Sequence, residues 1–357
     1  MRWDNLRLDP GDELPLIERG AVVRTFDTPG FRGMTFYEVH AKSIVSRVPD
    51  SSRMPFRWTI NPYRGCQHAC VYCFARNSHT YLELDSGADF DSKVVVKVNA
   101  PELLRKKLAS AGWPGEHIAM GTNVDCYQRA EGKYQLMRGI IAALRDAANP
   151  FSILTKGTLI LRDVDLLQQA AAVTEVGLNV SAAFVDKELW RAIEPGTPAP
   201  ERRIEACAAL NDTGLSCGVL MGPVVPFLSD SPAQLEAAVK QIAAARATHV
   251  SPIVLHLRTG TREWFLRWLG AAHPELADKY ADLYGGGAYA PKEYQARIAG
   301  QVRELADKHG VGRARPRQAR AVQSRAVKPV DTAPPDATIP EPRTRVQPAG
   351  HEQLTLL

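Results

Sequence analysis

No stretch of the sequence approaches the roughly 18 uninterrupted apolar residues of a membrane-spanning helix. The opening residues, MRWDNLRLDPGDE, are charged from the second position and lack the apolar core of a secretory signal. Both absences lead to the expectation of a cytoplasmic protein with no membrane partner. Six cysteines would be a disulfide framework in a short secreted chain, but in a cytosolic chain of 357 residues clustered cysteines read as metal ligands or catalysts. Residues 313–328 lack any acid while holding Arg313, Arg315, Arg317, Arg320, Arg325 and Lys328, so these six cations outweigh the chain's net charge of +5. The basicity belongs mostly to this segment, which reads as a solvated tail with an attraction for nucleic acid as the sharper alternative.

What is present is a soluble, core-forming composition, 45% hydrophobic and 23% charged. Three regions are expected. Residues 1–57 form an irregular, proline-punctuated N-terminal extension. Over 58–310 strand-like and helix-like segments alternate: FRWTIN leads in, and KVVVKVN, HIAMGT, FSILT, GLNVSAAF, LSCGVLM and HVSPIVLHL are each followed by a helical pattern. Ser231, Pro232 and Gln234 predict a capped helix start with Leu235, Val239 and Ile242 on its buried face. The fold class is α/β, a parallel sheet covered by helices, open or closed into a barrel, with function at the C-terminal ends of its strands. From 311 to 357 the periodicity stops, and a disordered tail is expected.

NPYRGCQHACVYCFAR, residues 61–76, places Cys66, Cys70 and Cys73 on one loop after a predicted strand. The loop lacks a fourth thiol. A zinc knuckle of Cys66, His68, Cys70 and Cys73 is one reading, crowded into a single turn. The other is a 4Fe-4S cluster with three irons held and the fourth left open for a bound molecule, since clusters that only carry electrons normally have four cysteines.

The three-cysteine spacing with Tyr72 before Cys73 resembles the signature of the radical S-adenosylmethionine superfamily, and the surrounding residues look like its spore photoproduct lyase-related, DNA repair photolyase-like branch. The resemblance implies a partial (β/α)6 TIM-like barrel, a 4Fe-4S cluster on Cys66, Cys70 and Cys73, and S-adenosyl-L-methionine cleaved to a 5′-deoxyadenosyl radical. It further implies a lyase or oxidoreductase with a nucleic-acid substrate and an electron donor such as flavodoxin or ferredoxin. Alternatives are a radical enzyme modifying a protein, RNA or metabolite, and a non-catalytic iron-sulfur adaptor tethered to the bacterial sliding clamp.

The resemblance also implies cofactor contacts at successive strand ends. Tyr72 belongs to the cysteine loop. GTNVDCYQRAE supplies Thr122, Asn123 and Asp125, and matches the pattern GTNTDPYQPxE of the related branch at Asp125, Tyr127, Gln128 and Glu131. FSILTKGTLILRD supplies Lys156 for the methionine carboxylate, with a solvated lysine as the alternative. GLNVSAAF supplies Ser181 for the ribose, and strand alternation places Asn179 on the same face. IEPGTPAPERR brings Glu194 and Arg203, matched positions without an assigned catalytic role, with mutual buttressing as the plain reading. His256 reads as a local hydrogen-bonding residue. Where photoproduct lyases keep a hydrogen-donating cysteine this chain has Gly121, with Cys126 nearby as a hydrogen-donor candidate or a small core residue. Cys207 and Cys217 read as core. At the far end, HEQLTLL resembles the peptide by which bacterial replication and repair proteins bind the sliding clamp, with Gln353, Leu354, Leu356 and Leu357 as the contacts and a plain chain end as the alternative.

Overall fold

The computed structural model describes residues 21–50, 52 and 54–312. In chain order its strands are β1 (Val22–Arg24), β2 (Thr35–Val39), β3 (Val45–Arg47), β4 (Trp58–Ile60), β5 (Tyr63–Arg64), β6 (Lys93–Lys97), β7 (Ile118–Met120), β8 (Phe151–Thr155), β9 (Val176–Ser181), β10 (Cys217–Val224) and β11 (Val250–Val254). Near-continuous apolar runs such as Ile118–Met120 are buried throughout, as strands covered on both faces must be. β4 and β7 to β11 pair in parallel, in the order 11-10-9-8-7-4, and β3 adds an antiparallel edge beside β4. Six parallel strands with helical crossovers make the partial (β/α)6 barrel, open between β11 and β3.

The helices cover the sheet for the reasons their sequences give. Ser231 Oγ accepts from Gln234 N–H and Gln234 Oε1 from Ser231 N–H, so the expected capping box starts the helix Pro232–Ala244. Its Leu235, Val239 and Ile242 are fully buried, each stabilising the fold by about 1.5 to 3 kcal/mol. No helix among the described residues is long and apolar enough to cross a membrane.

Two expectations need correction. The lead-in is not irregular throughout: β1, β2 and β3 lie within it, and β3 extends the barrel sheet. Their three to five residues show no apolar-polar alternation, β1 being exposed at every position, so no strand period was there to read. KVVVKVN is a strand, β6, but it leaves the barrel series. It joins β1, β2 and β5 in a second, four-stranded sheet. Val94 and Val96 face the main core while Val95 faces a smaller core with Tyr37, Leu82 and Leu84. Burial on both faces makes such a strand indistinguishable in sequence from a barrel strand.

Candidate active site

The cysteine loop follows β4 and is turned by two residues of positive φ, Gly65 at 81° and Ala69 at 53°. A side chain at Gly65 would put a Cβ 2.4 Å from Lys93 O, so glycine is required where the loop enters. Cys66 and Cys70 are buried, Cys73 is half-buried, and all three are free thiols. The loop backbone is tied down from every side. Gln128, fully buried, donates from Nε2 to Gly65 O (3.0 Å) and accepts from Gln67 N at Oε1 (3.1 Å). Arg76, also fully buried, donates to Cys70 O (3.1 and 3.2 Å), Gly87 O (2.9 Å) and Asp91 (2.8 and 3.0 Å). Val71 N donates to Ile193 O (3.0 Å), Gly196 N to His68 O (3.1 Å) and Thr261 Oγ1 to Cys73 O (3.0 Å). These bonds fix the backbone from which the three thiols project.

The thiols feel one another. Burial pushes the Cys66 thiol well up, helped by Asp125, Cys73 and Cys70. Burial raises Cys70 as well, with Glu194 adding and Lys156 opposing. Cys73 is raised by burial against the pull of Arg76 and Lys156. Among the described residues no three His, Cys, Asp or Glu side chains are gathered as ligands of a single ion. A cubane asks for something different, because its three thiolates bind three different irons. The donor set fits that group: three soft sulfur ligands on one braced loop, beside a lysine. Gln67 next to Cys66 adds a second indication, since it is only 6% exposed and neither polar atom of its amide has a partner within the protein. The zinc alternative asks His68 to be a ligand, but His68 Nδ1 lies 3.4 Å from Asp125 Oδ2.

Lys156, at the end of β8, and Ser181, the last residue of β9, meet beside this loop. Lys156 Nζ donates to Ser181 Oγ (2.7 Å) and Gly222 O (3.2 Å), and lies 5.8 Å from the centre of the Tyr72 ring. Behind them stands a buried carboxylate, Glu194, which accepts from Tyr72 and Arg203 and lies 3.7 Å from Lys156 Nζ. Arg203 continues the chain of contacts to Ser181 O (3.0 Å), Thr197 Oγ1 (2.8 Å) and Pro198 O (2.7 Å). Burial alone would raise the Glu194 carboxyl, but Arg203, Lys156 and the Tyr72 hydroxyl outweigh it and hold it ionised. Tyr72 moves the other way, pushed up by burial and by the neighbouring Cys70 and Glu194. Glu194 and Arg203 buttress each other, as the plain reading of the sequence has it, and the pair also reaches the two strand-end groups.

The other expected residues divide. Asp125 accepts from Thr155 Oγ1 (2.6 Å) and Tyr127 N (2.8 Å) at one oxygen and from Lys156 N (2.6 Å) at the other. It therefore clips the loop after β7 to the end of β8, with His68 at its side. That loop can pass so close because Gly121, at φ 74°, has no side chain: a Cβ would stand 1.8 Å from Leu154 O. Thr122 lies 2.6 Å from Thr59 Oγ1, and Asn123 is half-buried on the same loop. Asn179 is brought to His249, 2.8 Å away, rather than to Lys156. Cys126 is fully buried, and the charges it feels are Asp125, Glu131 and Asp163. His256 pairs with the Tyr289 backbone. Arg76, Gln128 and Glu131 were present in the quoted motifs, and what they share is burial, which spacing does not display. Gln353, Leu354, Leu356 and Leu357 lie outside the described residues.

Asp125 carries a pH prediction. Burial would raise its carboxyl, but His68, Thr155 and the Lys156 N–H together lower it to about 2. A depressed carboxylate stabilises the fold above its unfolded pKa of about 3.9, and that contribution disappears as pH falls through about 2. Urea unfolding should show wild type more stable than Asp125→Asn by on the order of 2 kcal/mol at pH 7, with the advantage shrinking below about pH 4. Equal stability of the two at pH 7 would remove this role.

Comparisons with known proteins agree with the geometry. A profile described as the Radical SAM superfamily matches residues 60–239, half of the chain. An uncharacterized protein of Mycobacterium tuberculosis is 46% identical over 316 residues, spanning 87% of this chain and 93% of its own. One from Methanocaldococcus jannaschii is 34% identical over 174 residues, 49% of this chain and 62% of its own. Among solved structures, a spore photoproduct lyase mutant with bound AdoMet and dinucleoside spore photoproduct has a TM-score of 0.60 at 12% identity, with 86% of each chain covered. The lyase complexed with dinucleoside spore photoproduct gives 0.59 at 13%, again with 86% of each covered. At such identities the likeness is one of fold. Taken with the profile match and the mycobacterial relative, it establishes that the chain belongs to the radical SAM superfamily.

Proposed function

We propose that this chain is a radical S-adenosylmethionine enzyme that holds a 4Fe-4S cluster on Cys66, Cys70 and Cys73 and acts on damaged or modified nucleic acid. Superfamily membership supports an enzyme. The observation that carries the cofactor assignment is the meeting of Lys156 Nζ and Ser181 Oγ, 2.7 Å apart, at adjacent strand ends beside Cys70 and Cys73. When bound together, the cluster and S-adenosylmethionine supply one-electron cleavage of a sulfur-carbon bond and hence a carbon radical.

The chain's own residues do the rest. Lys156 offers a cation to the methionine carboxylate, and Ser181 a hydroxyl to the ribose. Glu194 and Arg203 fix where these two groups stand. The buried loop around Cys66 and Cys70 keeps water away, which strengthens every charge interaction there. Gly121 bears on the reaction type: the 1.8 Å approach to Leu154 O leaves no room for a thiol at that position. The hydrogen transfer of photoproduct splitting from a cysteine there is therefore not part of the proposal. The nucleic-acid substrate is supported by the resemblance to the photolyase-like branch and by the basic segment 313–328.

Lys156→Ala and Ser181→Ala should leave iron content unchanged and weaken S-adenosylmethionine binding by roughly one to two decades, the worth of a charge-assisted hydrogen bond. Titration of each reconstituted variant measures this, and unchanged affinity in both would remove these strand ends from the cofactor site. The substrate proposal is tested by anaerobic incubation with ultraviolet-damaged and undamaged oligonucleotides, followed by mass spectrometry. Lesion-dependent product and a raised 5′-deoxyadenosine yield are expected; identical yields with damaged, undamaged and no oligonucleotide would contradict it.

A further inference from the structure

Next to Cys73 the surface carries exposed aromatic and cationic groups. Phe74 follows Cys73 directly and is 39% exposed, and Tyr289 is 53% exposed. Between them lies Arg258, its guanidinium carbon 5.5 Å from the centre of the Phe74 ring and its Nη2 donating to the Tyr289 hydroxyl (3.2 Å). The His256 ring packs against Tyr289 with centroids 5.4 Å apart. Among the described residues Arg258 meets no carboxylate; its guanidinium packs against two aromatic side chains. The next acid along the chain, Glu263 in the helix Thr261–Ala272, is occupied in capping Gly260 N (2.6 Å).

The place of this group in the fold is fixed from several sides. Residues 255–258 leave the C-terminal end of β11, at the open side of the barrel. They are pinned to Ala288 and Tyr289 by Leu257 N donating to Ala288 O (2.8 Å) and by the His256–Tyr289 bridge. Arg262 Nη1 holds Gly287 O (2.7 Å), which steadies the glycine run before Tyr289. Thr261 on the same loop binds Cys73 O (3.0 Å), so the whole rim is braced on the cysteine loop. The result is a small group of exposed rings and one arginine, braced through its backbone on the cysteine loop.

We propose that Phe74, Arg258 and Tyr289 form a stacking platform for an unpaired nucleobase of the strand that carries the substrate. This rests on the nucleic-acid reading above and deepens it. Aromatic faces take any base in turn, an interleaved arginine stacks on them and meets the phosphate, and together these are the elements of single-strand recognition. A base within an intact duplex has no free face to offer, so the platform selects single-stranded or everted bases. Its position beside Cys73 holds the neighbouring nucleotide near the site of radical formation.

The test uses the full-length chain with its cluster reconstituted and a single-stranded DNA 12-mer containing 2-aminopurine, whose fluorescence is quenched on stacking. Wild type should bind and quench it. Tyr289→Leu should bind about 5- to 150-fold more weakly, the equivalent of one base-aromatic stack, and lose the quench, while Tyr289→Trp should restore both. Arg258→Gln should lower the slope of log affinity against log salt by about 0.7, one phosphate contact. The inference is overturned if Tyr289→Leu binds and quenches as wild type does, or if duplex and single strand bind equally without quenching. A wild-type protein that binds no oligonucleotide but binds a basic or aromatic peptide overturns the nucleic-acid reading itself, a different outcome from failure of the platform.

Discussion

Replacing Cys66, Cys70 or Cys73 by Ala, one at a time, is expected to abolish both the brown iron-sulfur chromophore and the cleavage of S-adenosylmethionine. In the proposed site each thiolate would hold its own iron, and the other donors of the loop are already engaged: His68 lies beside Asp125, and the carbonyls of Gly65, Cys70 and Cys73 are bound by Gln128, Arg76 and Thr261. Iron analysis after anaerobic reconstitution reads the effect. Cys207→Ala, a buried thiol between a helix and β10 that touches Cys217 O at 3.5 Å, is the control and should keep its iron. Normal iron content in any of the three loop variants would contradict the ligand assignment.

The second large effect is expected at Glu194. Its side chain and that of Arg203 are 2% and 1% exposed, so Glu194→Ala leaves a guanidinium in the interior with no counter-charge. Loss of one partner of a buried ion pair costs about 3 to 5 kcal/mol, and here Tyr72 loses its acceptor and Lys156 its neighbouring anion as well. Urea unfolding should show that loss, and the surviving folded fraction should bind S-adenosylmethionine more weakly because Lys156 and Ser181 are no longer held. Adding Arg203→Met to Glu194→Ala should recover part of the stability, since the stranded charge is gone, but none of the cofactor affinity. A single Glu194→Ala variant as stable as wild type would mean that the pair is not a structural element of the site.

How much of this was legible depended on whether the chemistry is local. Three thiols on one loop speak through spacing alone, and a strand followed by Lys156 or ending on Ser181 can be read from the alternation of strand and helix. The pairing of Tyr72 with Glu194 joins positions 122 residues apart, and Asn179 with His249 joins positions 70 apart. No local period predicts either. That is why Asn179 was grouped with Ser181, with which it shares strand parity, while the structure gives it a different partner. β6 was misplaced for a related reason: burial on both faces looks the same in either sheet. Arg76 illustrates the converse, an arginine whose charge suggests a surface and whose position proves fully interior.

The central claim, that the loop and the strand ends together make a radical S-adenosylmethionine site, is tested most directly by one measurement. The anaerobically reconstituted protein is reduced with dithionite in the presence of S-adenosylmethionine, and the products are quantified by mass spectrometry. Methionine and 5′-deoxyadenosine in equal amounts, formed only when Cys66, Cys70 and Cys73 are all present, are the predicted result. A brown, fully loaded protein that leaves S-adenosylmethionine intact would contradict the account.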